Sequence, residues 1–480
     1  GQLKALAAET AAEQQALVDA PGRKRIGVIC AGKGFCPFPD TAPLIPKELE
    51  AVLGQKNPII PQLIPQLKQI QDQMNRFLAG IERDLFRRRG FHIVQVNLDE
   101  EVPEDVAGLV LMGPRSALTD WQLYSLDQYV LGGGSLVVLL NAWDVSIMNL
   151  DAKQQPRHTQ LKKNAANIGD LLGHWGIKPN DDLVVEPQDH DRVLVESPVR
   201  TPFGMATSRR HFPYPLVPVL QEMDRESPLV RAVASITLPY ATSLTLDESG
   251  GHEVRALVKS SPASSTTAEA SFPLEPQAQA ALVAKSTGDG PHVVAAVAKG
   301  KLTSYFAGKD APEAPKKDEP KEGEEGAEAE LPEPERLESG EGRVLVIGSN
   351  LGLEVLSKEV IFEGFDLGSL TNGSFDAVSQ APQWGANWQN WWTRIRQVGH
   401  TLEGNVPLLD NVLDWSIQNE GLMEVRAKNI RFRPLAQLEE DQQGWVTAAG
   451  VVAAPGLFLL FGLLRLGSRR KRRQRLGATS

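Results

Sequence analysis

The chain has 480 residues, 41% hydrophobic and 23% charged, with a formal net charge of −10. That length suits two or three domains with a sizeable core. The acidic balance argues against a nucleic-acid binder, because the only basic cluster closes the chain and has another explanation.

The first 22 residues are polar, rich in Ala, Glu and Gln, and suit a helical lead-in. They are not a secretory leader. A domain outside the membrane needs an export signal, so the natural protein is expected to continue upstream of Gly1 or to have lost a leader.

From 23 to 190 short apolar runs alternate with helical patterns, which predicts a flavodoxin-like, mostly parallel sheet covered on both faces. Strands are expected at 26–31 (IGVICA), 91–98, 108–113, 135–141 (SLVVLLN) and 182–186 (DLVVE). Ile64, Leu67, Ile70, Met74, Phe77, Leu78, Ile81 and Leu85 recur at helical steps. Further helices are expected over 120–130 and about 161–175. Thr119 and Gln122 have the spacing of a capping box, with Leu118 and Leu123 as its hydrophobic staple, and Gly132-Gly133-Gly134 stops that helix.

Cys30 and Cys36 fit structural thiols or one disulfide better than a reactive site or zinc, since the spacing is not CxxC and no histidine is near.

The second half, 191–308, reads as strand-rich, with strands expected at 229–238, 252–259 and 293–306. Residues 309–342 carry 13 acidic and 5 basic side chains with many prolines, the composition of a disordered acidic loop inserted in a domain. The region 343–434 closes the folded part with a buried-type strand at 343–348, a helix over 406–418 and a strand at 423–427.

Residues 445–464 hold 20 consecutive uncharged residues, and seven basic ones follow from Arg465. A helix of that length rises roughly 30 Å, the thickness of a bilayer core. The pattern predicts one C-terminal transmembrane helix, 445–466, with the basic tail 467–480 in the cytoplasm and the main domain on the other side.

Chemistry is sparsely signposted. In a flavodoxin-like sheet, ligands bind outside the carboxyl ends of the first and third strands. Those ends lead into Gly32-Lys33-Gly34 and Gly113-Pro114-Arg115-Ser116. Lys33, Arg115 and Ser116 are therefore candidate ligand-binding residues, the last two just ahead of a helix N-terminus. The alternative is that these glycines only make tight turns. No phosphate-loop pattern, GxSxG or GxCxG elbow, HExxH or paired histidines occur, so no catalytic residue, metal ligand or cofactor is assigned. Trp384, Trp388, Trp391 and Trp392 fall at helical spacing beside Arg394 and Arg396, which suits a helix resting on a bilayer or a partner, or one packed on its own core.

Several segments together carry a resemblance. They are PEDVAGLVLMGPRSALTDWQLYSLDQYVLGGGSLVVLLN (103–141), IGDLLGHWGIKPNDDLVVE (168–186), ITLPYATSLTL (236–246), VRALVKSSPAS (254–264), RVLVIGSN (343–350) and GNVPLLDNVLDWSIQNEGLMEVRAK (404–428). In this order the chain resembles the gliding-motility-type ABC-transporter auxiliary proteins (the GldG family) over roughly residues 23 to 466.

The resemblance implies a non-catalytic subunit beside an ABC permease and an ATP-binding subunit, anchored in a bacterial inner membrane with a periplasmic domain of amidotransferase-like fold. That domain would bind substrate or partner proteins. Asn405 and Asn411, with Trp415, match the family's "Gly-Asn … Asn … Trp" helix and join the ligand-binding candidates, although capping and packing explain them as well. The long acidic insert, the Trp-rich stretch and the missing spanning segment ahead of the domain depart from the family pattern. An envelope scaffold and an amidotransferase-like envelope enzyme are the alternatives.

If the tryptophan stripe meets lipid or a membrane partner, changing Trp388 and Trp392 together to alanine is expected to weaken liposome or partner association several-fold in flotation or pull-down. Unchanged association would assign the stripe to the protein's own core.

Overall fold

The structure is a computed structural model, and it describes residues 25–38, 60–146, 159–201, 204–268, 271–272, 276–315, 336–353, 401, 404–418, 461 and 465. The expectations for 1–22, the tryptophan stripe, the strand at 423–427 and most of 445–480 fall outside those residues. Among the described residues no helix is long and apolar enough to cross a membrane, so the C-terminal span gains no support here. The chain divides after Ile430 into two units, and the main sheet with its helices lies in the first.

Among the described residues, ten strands form the main sheet. We number them β1 (Arg25–Ile29), β2 (His92–Val96), β3 (Val106–Met112), β4 (Ser135–Leu139), β5 (Ile177–Pro179), β6 (Glu222–Met223), β7 (Leu244–Leu246), β8 (Glu253–Lys259), β9 (Val293–Thr303) and β10 (Ser339–Ile347). The α-helices among the described residues are α1 (Ile60–Ile81), α2 (Asp120–Leu131), α3 (Ile168–His174), α4 (Pro276–Lys285) and α5 (404–416).

One half of the sheet, β2-β1-β3-β4-β10, is parallel throughout. This is the flavodoxin-like strand order, with its reversal between β1 and β3. The fifth strand is β10, which arrives about 200 residues after β4 in the chain. On its other side β10 pairs antiparallel with β9, from Ala295↔Ile347 to Thr303↔Ser339. Strands β8, β6, β7 and β5 extend that antiparallel half.

Alternate residues of the parallel strands enter opposite cores, as the period of a strand requires. Ile26, Val110, Val137 and Leu345 meet α1 and α5 on one face, in a core that includes Leu78, Leu408 and Val412. Ile29, Leu109, Val138 and Val346 meet α2 and α3 on the other, with Leu126, Leu171 and Trp175. Helix α5 crosses β3 at Gly108, where any Cβ would collide with the Ser416 carbonyl.

Helix α2 begins as the sequence indicates. The Gln122 amide donates to Thr119 Oγ1 and the Thr119 amide to Gln122 Oε1, while Leu118 and Leu123 are buried in one core.

Three expected elements differ. The run 182–186 does form a strand, Leu183–Val185, but it pairs with Ser265–Thr267 in a separate two-stranded sheet. The helix expected from 161 starts only at Ile168. Residues Thr159–Lys163 form a strand instead, and Asn164 then turns the chain by accepting from the Ala166 amide. Of 229–238 only Ile236–Thr237 is strand. The Arg225 guanidinium winds the preceding residues into turns by donating to the carbonyls of Gln221, Arg231 and Val233. Leu229, Val230 and Val233 are buried in those turns, so apolar content without strand geometry explains that run.

The acidic insert is also shorter than the composition suggests. Its two ends meet at the tip of the β9–β10 hairpin, and 339–342 already belong to β10. Buried Asp127 on α2 accepts from Ser304 Oγ and the Tyr305 amide at 2.7 and 2.9 Å. Gln128 exchanges two hydrogen bonds with the Leu337 backbone. Burial holds the Asp127 carboxyl above its ordinary pKa, although the hydrogen bonds it accepts from Ser304, the Tyr305 amide and the Gln128 side chain, and the nearby His174, pull it down.

Candidate functional site

The carboxyl ends of β1, β3, β4 and β10 converge on four loops, 30–36, 113–116, 140–142 and 348–352. The first is closed by a disulfide between Cys30 and Cys36, whose Cα atoms lie 5.1 Å apart, so neither cysteine is a free thiol. Gly32 at φ +71° and Lys33 at φ +55° turn this loop back toward the sheet. Glycine suits that position because its left-handed backbone also faces Pro114 and Ser116 closely.

The amides of Arg115 and Ser116 donate to the Gly32 carbonyl at 2.7 and 2.9 Å, and the Phe35 amide donates to the Met112 carbonyl at 2.8 Å. Lys33, Arg115 and Ser116 are thus brought together, as the strand ends implied. The two amides best placed for an anion are spent on a backbone carbonyl, however, and the N-terminus of α2 is capped by Thr119. An anion here would have to rely on the Lys33 side chain, which is exposed, and on the half-buried Arg115 and Ser116.

Behind these loops lies a layer of buried and half-buried polar side chains that motif reasoning did not pick out. Asn141 Oδ1 accepts from the Asn350 amide at 2.6 Å, and Asn350 Oδ1 accepts from the Gly352 amide at 3.0 Å. Thr242 Oγ1 accepts from the Ala142 amide, and the Thr242 amide donates to the Gly348 carbonyl. Asn164 Nδ2 donates to the Pro114 carbonyl, while Asn167 takes both backbone groups of Leu118. The signal was present: SLVVLLN and RVLVIGSN both end in the asparagine that joins β4 to β10.

Asn405 and Asn411 lie elsewhere, on α5. Residue 404 is already helical, so Asn405 sits inside the helix and does not cap it. Its carboxamide accepts from the Thr237 amide and donates to the Thr237 carbonyl, and Asn411 donates to the Leu229 carbonyl at 2.8 Å. Asn405 is fully buried, so both residues fasten α5 to the 229–237 turns. Trp415 stacks with the Arg343 guanidinium 5.2 Å from its ring centre. Between α5 and the sheet a narrow apolar cavity is lined by Phe35, Phe86, Met112, Leu139, Leu353 and Leu413 among others. Arg89 stands in its wall and pairs with Asp410 at 2.6 Å.

Among the described residues, no three His, Cys, Asp or Glu side chains gather closely enough to hold a metal ion. What the arrangement offers is a loop surface at the strand-order reversal on which the Phe35, Gly113, Arg115 and Ser116 amides are already bonded to backbone carbonyls.

The sequence profile of a family described as an ABC-type uncharacterized transport system matches residues 23–360. No curated protein matches the chain. Among solved structures the chain is similar to the mmIFT52 N-terminal domain, at 15% identity over 63% of this chain and 88% of that one, with a TM-score of 0.28. So low a score bears on neither fold nor function.

Changing Asn141 to alanine leaves the buried Asn350 amide without its acceptor. The expected loss of stability in urea unfolding is about 1–3 kcal/mol. An unchanged midpoint would mean that water takes over the carboxamide's place.

Proposed function

The chain belongs to the ABC-type uncharacterized transport system family, and on that premise we propose that it is a non-catalytic auxiliary subunit of a gliding-motility-like ABC transporter. Its α/β domain lies outside the cytoplasm and binds substrate or partner proteins. Residues 445–466 anchor it in the inner membrane next to a permease and an ATP-binding subunit. The family match over 23–360 is the observation that carries this reading.

Three features support the finer parts. The Cys30–Cys36 disulfide suits an oxidising compartment, which agrees with a periplasmic domain. The loop surface at the strand-order reversal is closed by its own hydrogen bonds, which favours a protein contact over a small anion. The sequence has no phosphate loop, so energy for transport comes from the partner's ATP hydrolysis.

A scaffold reading draws on a separate observation. The acidic insert springs from a stem fixed by Asp127 and Gln128, and Arg336 adds a hydrogen bond to the Lys309 carbonyl at 2.7 Å. Such a stem presents the insert to other envelope proteins. A cysteine-dependent amidotransferase-like enzyme fits less well, because each cysteine is bonded to the other.

Purification of the tagged full chain from membranes in mild detergent is expected to recover a permease and an ATP-binding subunit together. Repeated recovery of neither contradicts the transporter reading. Loss of other envelope proteins on deleting 316–335, with permease retained, would instead favour the scaffold.

A further inference from the structure

We propose that the Cys30–Cys36 disulfide is a redox latch on the strand-order reversal, holding two loops in place when oxidised and releasing both when reduced. The proposal rests on what the seven-residue loop touches, and it does not depend on the transporter reading.

The loop engages its surroundings at four points. The Gly32 carbonyl anchors the Arg115 and Ser116 amides, so the 113–116 loop is held through the first loop. The Phe35 amide donates to Met112, the last residue of β3. Phe35 is 1% exposed and forms part of the wall of the apolar cavity under α5, together with Phe86 and Leu413. Gly34 is pressed so closely on the Met112 carbonyl that a Cβ there would lie 2.5 Å from it.

This conformation is demanding for so short a segment. Two successive residues, Gly32 and Lys33, have positive φ, and Lys33 carries a side chain in that region. An open chain favours other conformations, so the covalent closure opposes a local preference to unwind. Both cysteines are only half-buried.

The chemistry is thiol–disulfide exchange with an external dithiol. One thiolate of the dithiol attacks a sulfur of the pair, forming a mixed disulfide and expelling the other cysteine as a thiolate. The second thiol of the reductant then displaces the first cysteine. Two electrons and two protons pass to the protein, leaving two cysteine thiols here and one disulfide on the reductant. Freed of closure, residues 30–36 leave the positive-φ turn, Gly32 gives up its two amides, and Phe35 withdraws from the cavity wall.

Amide hydrogen exchange on the full chain tests this directly, comparing oxidised protein, protein reduced with dithiothreitol, and a Cys30→Ser/Cys36→Ser variant. Exchange at Phe35, Arg115 and Ser116 is expected to be at least about tenfold faster in the last two samples. The Gln122 amide, held by Thr119 outside the latch, and residues 26–29 of β1 should exchange as before. Unchanged rates at 35, 115 and 116 in fully reduced protein and in the variant would overturn the proposal, since hydrogen bonds alone would then hold the loop. An equal rise at Gln122 and in β1 would also overturn it, because the disulfide would then support the whole domain and not one edge.

Discussion

One strand holds this architecture together. β10 pairs parallel with β4 over five residues and antiparallel with β9 over nine, so it belongs equally to both halves of the sheet. Without it the parallel block would end at β4, with an unpaired apolar edge. Such an edge invites aberrant pairing. The antiparallel block would likewise lose the strand it is built against. The close of the fold therefore waits for a segment far along the chain from its neighbours. The acidic insert is tolerated because it sits at the tip of the β9–β10 hairpin, where both ends emerge together. Closing a loop costs little more as the loop lengthens, so a long insertion there barely disturbs the ladder beside it.

The same strand sets the chemistry of the edge at the strand-order reversal. By running parallel to β4, it brings Asn350 beside Asn141 and lays the 348–352 turn against Gly113. The loops at the reversal between β1 and β3 are thereby backed by a layer of paired amides. In many doubly wound proteins this edge is an open crevice for a nucleotide or cofactor. Here the backbone donors face inward, to Gly32, Leu139 and Gly348, and the disulfide closes the first loop. The edge has kept its position in the fold while its donors serve loop–loop contacts. That is the physical sense in which a domain of this type fits an auxiliary subunit.

Much of this was legible in the residues. Strands buried on both faces read as unbroken apolar runs, so 26–31, 108–113, 135–141 and 343–348 identified the parallel block. The Thr119–Gln122 spacing located the start of α2. What sequence reasoning missed had two causes. Apolar runs do not specify a partner: Leu183–Val185 is buried like a sheet strand but pairs elsewhere, and Leu229, Val230 and Val233 are buried in turns wound on Arg225. Side-chain amides were also read as possible ligand contacts when their partners are backbone groups far away in the chain. Asn405 with Thr237 and Asn411 with Leu229 are long-range pairs that no local spacing reveals. For Lys33, Arg115 and Ser116 the strand ends gave the location, but not the fact that the amides of Arg115 and Ser116 are already used.

The claim that β10 completes both halves is tested by cutting the chain. A protease site placed within 316–335 separates residues before the insert from β10 and the remainder of the chain. The nicked protein is expected to stay together in native size-exclusion chromatography and to separate only in denaturant. The isolated N-terminal fragment should lack slow-exchanging amides in β4 and β9. A fragment that folds alone, with those amides protected as in the intact protein, would contradict the claim.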